Sequence, residues 1–333
     1  MKCNSGKINT WQRALIDTVT KPKELLELLN LDMSLLPAAE KAATLFPLKV
    51  PRNFIARMEK GNPCDPLLLQ VLPIHAELQE VPGYTSDPLQ EASFNPIPGL
   101  LHKYHGRVLM TLASACGINC RYCFRRFFPY EENNPGSMGW QKALNYIEKD
   151  SSIAEVILSG GDPLMATDQT INSIKDSLAT FPHIKRLRIH SRMPIVLPDR
   201  ITPELIAAIT HPKLKTILVV HCNHPRELNT DIRKAMQQLS QAGVTLLNQS
   251  VLLKGINDDA NTLIELSEAL FDAGIQPYYL HALDKVQGAA HFDLAHQQAL
   301  QLHEKISAHL SGYLVPKLVY EQPGASGKMP VKA

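Results

Sequence analysis

The chain has 333 residues, 44% of them hydrophobic and 20% charged. This is ordinary globular composition, which excludes a disordered or fibrous protein. Lys and Arg number 34 against 32 Asp and Glu, a net charge of +2, too small a surplus for a protein built around nucleic-acid phosphates or anionic lipid. No apolar run approaches the ~20 residues of a membrane span, and Met1 to Glu27 carries no apolar stretch of the signal-peptide kind. We therefore expect a cytoplasmic chain with reduced thiols, and neither nucleic acid nor membrane as a partner.

Along the chain, helical patterns at Trp11–Leu29 and Ala38–Phe46 are followed by a proline-punctuated stretch at Pro63, Pro66, Pro73, Pro82, Pro88, Pro96 and Pro98. Proline at this density marks turns and extended connectors. Residues 1–100 thus read as a helical and wrapping N-terminal extension. From Arg107 short apolar runs alternate with longer amphipathic ones. The predicted strands are Arg107–Ala113, Ala154–Ser159, Arg186–His190, Thr216–His221, Val244–Val251 and Gln276–His281. The predicted helices are Trp140–Lys149, Asp168–Thr180, Pro203–Ile209, Asp231–Ala242, Asn261–Ala273 and Leu294–Leu310. Strand–helix alternation with near-continuous apolar strands predicts an α/β fold with a parallel sheet. Residues 101–312 fit a partial (β/α)6 barrel, with an open doubly wound sheet as the alternative. Residues 313–333 form a C-terminal segment in which Leu314–Tyr320 is strand-like. In both architectures the chemistry sits at the carboxyl ends of the strands.

The first such end carries Cys116, Cys120 and Cys123, spaced C-x3-C-x2-C. Chance gives roughly 0.002 such matches for this cysteine content, so coincidence is a poor explanation. Three thiolates on one short loop suit three irons of a [4Fe–4S] cluster with the fourth iron open. A zinc site borrowing His105 is the alternative, though zinc loops usually pair two knuckles. Cys3, Cys64 and Cys222 are scattered.

Ser159-Gly160-Gly161-Asp162-Pro163 ends the second predicted strand. Its glycines would let a ligand's ammonium group approach backbone carbonyls, while Asp162 and Pro163 also suit a helix start. Near the C-terminus, Lys328 follows Pro323-Gly324-Ala325-Ser326-Gly327. A tail lysine is usually solvated, but on a tied-down loop it can reach an aldehyde. At the fourth strand's end, alternation allows His221 and Asn223, or Cys222 and His224, to face inward, not both pairs. Asn248-Gln249-Ser250 places polar residues in an apolar run, with satisfied core polars as the bland explanation.

The cysteine spacing, with aromatic Tyr122 before the third thiol, resembles the radical S-adenosylmethionine (SAM) superfamily. The glycine motif one β/α unit later is similar to that superfamily's methionyl-amine motif. From about Val50 to Met329 the chain resembles lysine 2,3-aminomutases, radical SAM enzymes that also use pyridoxal 5′-phosphate (PLP). Arg57-Met58-Glu59-Lys60-Gly61-Asn62-Pro63, Gly99 to His105 and Pro277-Tyr278-Tyr279-Leu280-His281 carry the resemblance. With Asp284 to Phe292, they are most similar to the branch that serves β-lysylation of translation elongation factor P.

The resemblance implies migration of the α-amino group of free L-lysine to the β-carbon. It implies an external electron donor and a separate ligase that joins β-lysine to elongation factor P. It assigns PLP to Lys328, with Lys103, Arg107 and neighbouring Tyr104 at the PLP phosphate. Arg125 would clamp the substrate carboxylate, and Asp284 and Glu321 the far ammonium group. Ser159, Gly160, Gly161, Asp162, His221, Gln249 and His281 match positions facing SAM or PLP. Fermentative members differ: they have aspartate at Glu321, histidine at Tyr122 and glycine at Ala325 and Ser326. Two competing readings are a radical SAM protein without PLP, such as an activase, and a non-enzymatic iron–sulfur regulatory module.

Overall fold

The computed structural model describes residues 9–130, 133 and 136–332; Cys3 lies outside them. Among the described residues nine strands make one sheet: β1 (Leu100–Tyr104), β2 (Arg107–Ala113), β3 (Glu155–Gly160), β4 (Arg186–Ser191), β5 (Lys215–Val220), β6 (Thr245–Val251), β7 (Gln276–His281), β8 (Lys317–Tyr320) and β9 (Met329–Pro330). Spatial order equals chain order. Strands β2 to β8 are parallel, and β1 and β9 close the two edges antiparallel. The six predicted strands correspond to β2 through β7. The sheet goes further: the strand-like run before the tail joins as a seventh parallel strand, β8.

The N-terminal pattern forms α1 (Thr10–Ile16), α2 (Pro22–Leu28), α3 (Leu36–Leu45), α4 (Arg52–Ile55) and α5 (Pro66–Leu69). The single helix expected over Trp11–Leu29 is split in two. Val19 leaves the helix to pair with Val50 in a β-bridge, exchanging 2.9 Å hydrogen bonds in both directions. Pro22 then starts α2 at a position where its missing N–H costs nothing.

Between the parallel strands run α6 (Gly136–Lys149), α7 (Asp168–Leu178), the short α8 (Met193–Val196), α9 (Pro203–Ile209), α10 (Thr230–Gln241) and α11 (Ala260–Asp272), with α12 (His296–His309) before β8. Local capping starts several of them. Thr167 accepts from the Thr170 N–H at 3.1 Å, Asn229 from Ile232 at 3.0 Å and Asp259 from Thr262 at 2.8 Å. Each cap satisfies a first-turn amide that the helix leaves unpaired. The helices pack outside, and one hydrophobic core runs from Trp11 in α1 through the strands to Ile275. The N-terminal helices therefore share the barrel's core.

The sheet curls into a partial barrel. Lys103 Nζ and Tyr104 Oη at one edge donate to Glu321 Oε2 beyond the other, at 3.1 and 3.2 Å. The inner face encloses a cavity of about 770 Å³.

Candidate active site

All the cluster, cofactor and substrate candidates named from the sequence line this one cavity. The three cysteines enter it from the loop after β2, as free thiols. Burial pushes the Cys116 thiol up, and burial with neighbouring Cys120 pushes Cys123 up to about 11. Arg192 donates from Nη1 to Cys120 Sγ at 2.7 Å. His105 lies in the turn before β2, separated from Cys116 by a seven-residue strand rising ~3.3 Å per residue. It cannot complete a zinc site with the cysteines. The donor set is then three thiols from one loop, which fits a cluster that leaves one iron open.

The glycines at the end of β3 have a use the sequence reading missed. A Cβ on Gly160, at φ +125°, would lie 2.5 Å from Ala113 O; one on Gly161 would lie 2.5 Å from Ala115 O. The Gly161 N–H donates to Ala113 O at 2.6 Å and Asp162 N–H to Ala115 O at 2.9 Å. The backbone of this motif is thus pressed against the strand that leads into the cysteine loop. Asp162 is buried and its carboxylate is engaged. It accepts from Leu164 N–H, Ser191 Oγ, Arg192 N–H and Met193 N–H at 2.7 to 3.1 Å. It caps its own turn and ties β3 to the end of β4.

Arg125 is buried and forms a bidentate pair with Glu91, Nε to Oε2 at 2.8 Å and Nη2 to Oε1 at 2.6 Å. Its Nη1 donates to Ser159 Oγ at 3.0 Å and to Gly160 O at 3.4 Å. Burial disfavours the charge, but Glu91 outweighs it and keeps the guanidinium firmly protonated. Glu91 carried no signal in the sequence, because it sits in the proline-rich stretch 34 residues away.

The tail is tied down by β9, which pairs Met329 with Tyr320 and returns Lys328 beside Glu321. Lys328 Nζ donates to Glu321 Oε1 at 2.6 Å and lies 3.0 Å from His281 Nε2. Burial pulls Lys328 down, against the charge of Glu321. Burial likewise opposes ionisation of Glu321, but Lys328 and Lys103 outweigh it and hold the carboxyl at about 2. Asp284 has the opposite balance: burial and the charge of Glu321 push it up to about 7. Arg107 stacks over the Tyr104 ring, 4.6 Å from its centroid.

On the inner wall, His221 Nε2 and Gln249 Oε1 have no surface and no hydrogen-bond partner among the described residues. Burial holds His221 neutral, down to about 3. An orphaned buried polar atom costs about 1–3 kcal/mol, so these two atoms fit a polar ligand. Asn248 and Ser250, in contrast, face outward. Asn248 bonds both the N–H and the C=O of Cys222, and Ser250 donates to the same C=O. Alternation also puts Asn223 inward, where its Nδ2 donates to Tyr122 Oη at 2.6 Å. Arg192 carried no signal in the sequence, although it follows the end of β4, where the architecture places chemistry.

A parallel partial barrel whose first β/α loop presents three thiols to the central cavity defines a radical SAM enzyme. The 4Fe-4S single cluster domain family matches residues 105–189. Among curated proteins, the L-lysine 2,3-aminomutase of Escherichia coli is 52% identical over 98% of this chain and 96% of its own length. That of Haemophilus influenzae is 48% identical over 96% of this chain and 94% of its own. The Clostridium subterminale enzyme is 34% identical over 97% of this chain and 78% of its own. The chain belongs to the lysine 2,3-aminomutase family. It is an isomerase of the aminomutase type, and its cofactors are those of the family: a [4Fe–4S] cluster, SAM and PLP.

Proposed function

We propose that the enzyme converts free L-lysine to β-lysine in the cytoplasm, for attachment to elongation factor P by a separate ligase. The observation that carries this reading is the shared cavity: the three thiols and Lys328, Glu321 and Asp284 line the same 770 Å³. Cys116, Cys120 and Cys123 hold the cluster. Gly160, Gly161, His221 and Gln249 border SAM, with Ser159 and Asp162 fixing the wall behind. Lys328 carries PLP, and Lys103 and Arg107 supply cations to its phosphate beside Tyr104, with His281 against Lys328. When bound, the cluster would supply one-electron reducing power to SAM, and PLP would supply a conjugated ring able to delocalise an unpaired electron.

The protein's own part is binding, orientation and exclusion of water. Arg125 is a fixed cation for the α-carboxylate, held rigid by Glu91. Asp284 and Glu321 face the far ammonium, which a buried site must neutralise. Glu321 stays charged and at present holds Lys328, so release of that lysine leaves its carboxylate for the substrate. An external donor supplies the electron.

The test is anaerobic. The protein is reconstituted with iron, sulfide and PLP, reduced, and given SAM with isotopically labelled L-lysine. β-Lysine by mass spectrometry is the expected result. 5′-Deoxyadenosine without β-lysine would overturn the substrate, and no cleavage by a verified cluster would overturn the radical reading.

A further inference from the structure

Strand β4 sends Leu187, Ile189 and Ser191 into the core and turns Arg188 and His190 toward the cavity. The register pairing Leu158 with Ile189 sets His190 beside Ser159, whose hydroxyl accepts from Arg125. On its other side His190 pairs with Val219, and its ring meets that of His221 edge-on at 5.9 Å. His190 Nε2 has no accessible surface and no hydrogen-bond partner among the described residues. Burial, with Arg188, His221, Lys328 and Arg125 around it, keeps the ring neutral. Such a nitrogen, orphaned in a cavity wall, calls for a partner that the protein does not supply.

Arg125 explains which partner. A guanidinium has five N–H donors, and four of those on Arg125 are directed at Glu91, Ser159 and Gly160. One remains, so Arg125 cannot clamp a carboxylate bidentately while these bonds hold. A buried carboxylate needs more than one donor. We infer that His190 supplies the second: with its ring turned into the cavity, the imidazole donates from Nε2 to the α-carboxylate of the bound amino acid, beside Arg125. This rests on the proposed lysine reading, which assigns no role to His190.

The experiment measures binding, not turnover. PLP-loaded, cluster-loaded protein is titrated with L-lysine in the absence of SAM, and the change in pyridoxal absorbance gives Kd. L-Lysinamide, which lacks the carboxylate, is the second probe. His190→Phe is expected to weaken L-lysine about tenfold and leave L-lysinamide within threefold of the parent, roughly the scatter of a single contact. His190→Gln keeps an amide donor and should restore most of the affinity. Equal affinity of parent and His190→Phe for L-lysine would overturn the inference while leaving the lysine reading intact. An equal loss for both probes would also overturn it, marking the residue as packing. If the parent protein shows no response to L-lysine, the substrate reading itself fails. Should the phenylalanine variant not retain its cluster, His190→Leu and His190→Asn make the same comparison.

Discussion

Glu321 gathers Lys328, Lys103 and Tyr104 onto one carboxylate, so at the scale of single residues the proposed PLP site is a network of two cations and a phenol on one acid. Lys328→Ala should abolish the visible absorbance of bound PLP and lower β-lysine formation by about 10³-fold, with iron and sulfide content unchanged. Turnover surviving that change would refute the assignment. Asp284 adds a pH dependence. Its carboxyl, raised from 3.8 to about 7, is neutral below that value and charged above it. An ammonium group needs the charged form, so lysine affinity should rise with pH and level off above about 7, and Asp284→Asn should remove the step. The folding sign is opposite. An acid whose pKa is raised on folding contributes stability below 3.8 that is lost as pH rises through about 7, so the same variant should flatten that loss in a pH series of thermal unfolding. The cysteines were legible in the sequence because their spacing is local. Glu91 was not, since its tie to Arg125 spans 34 residues and follows no period.

Alternation and apolar runs made the elements β2 to β7 readable within a residue or two, because buried parallel strands carry a strong signal. β1 was missed: its burial runs from two buried residues to three half-buried ones without alternating. β9 was missed because two residues have no pattern at all. The break between α1 and α2 depends on Val50, far along the chain, and a helical periodicity cannot report such a competitor. Close approach of elements is the other thing a sequence hides. Gly160 was singled out for a ligand, yet its first consequence is contact with Ala113. Gly160→Ala adds an atom 2.5 Å from a backbone oxygen at φ +125°. We expect a loss of at least about 3 kcal/mol in stability and reduced iron retention, measured by thermal unfolding and metal analysis. A variant with the parent's melting temperature and iron content would show that the β3 turn has room to yield.

For the whole molecule, the sheet does two things at once. Its inner face forms one continuous cavity, and its first and last edges meet through the Lys103–Glu321 and Tyr104–Glu321 bonds. The residue that closes the barrel is therefore also the one that holds Lys328. A core shared between the N-terminal helices and the strands backs the cysteine side of this arrangement, and a second cluster of Leu280, Ile306, Leu310, Leu314 and Leu318 backs the strand that leads to Glu321 and Lys328. The central claim is that radical source and substrate serve a single cavity. The most direct measurement uses L-lysine deuterated at C3 in the reconstituted, reduced protein with SAM. Deuterium in the 5′-deoxyadenosine moiety, together with labelled β-lysine, is the predicted result. Cleavage of SAM to unlabelled 5′-deoxyadenosine while lysine remains unchanged would contradict it, because the radical source and the lysine site would then not be acting on the same molecule.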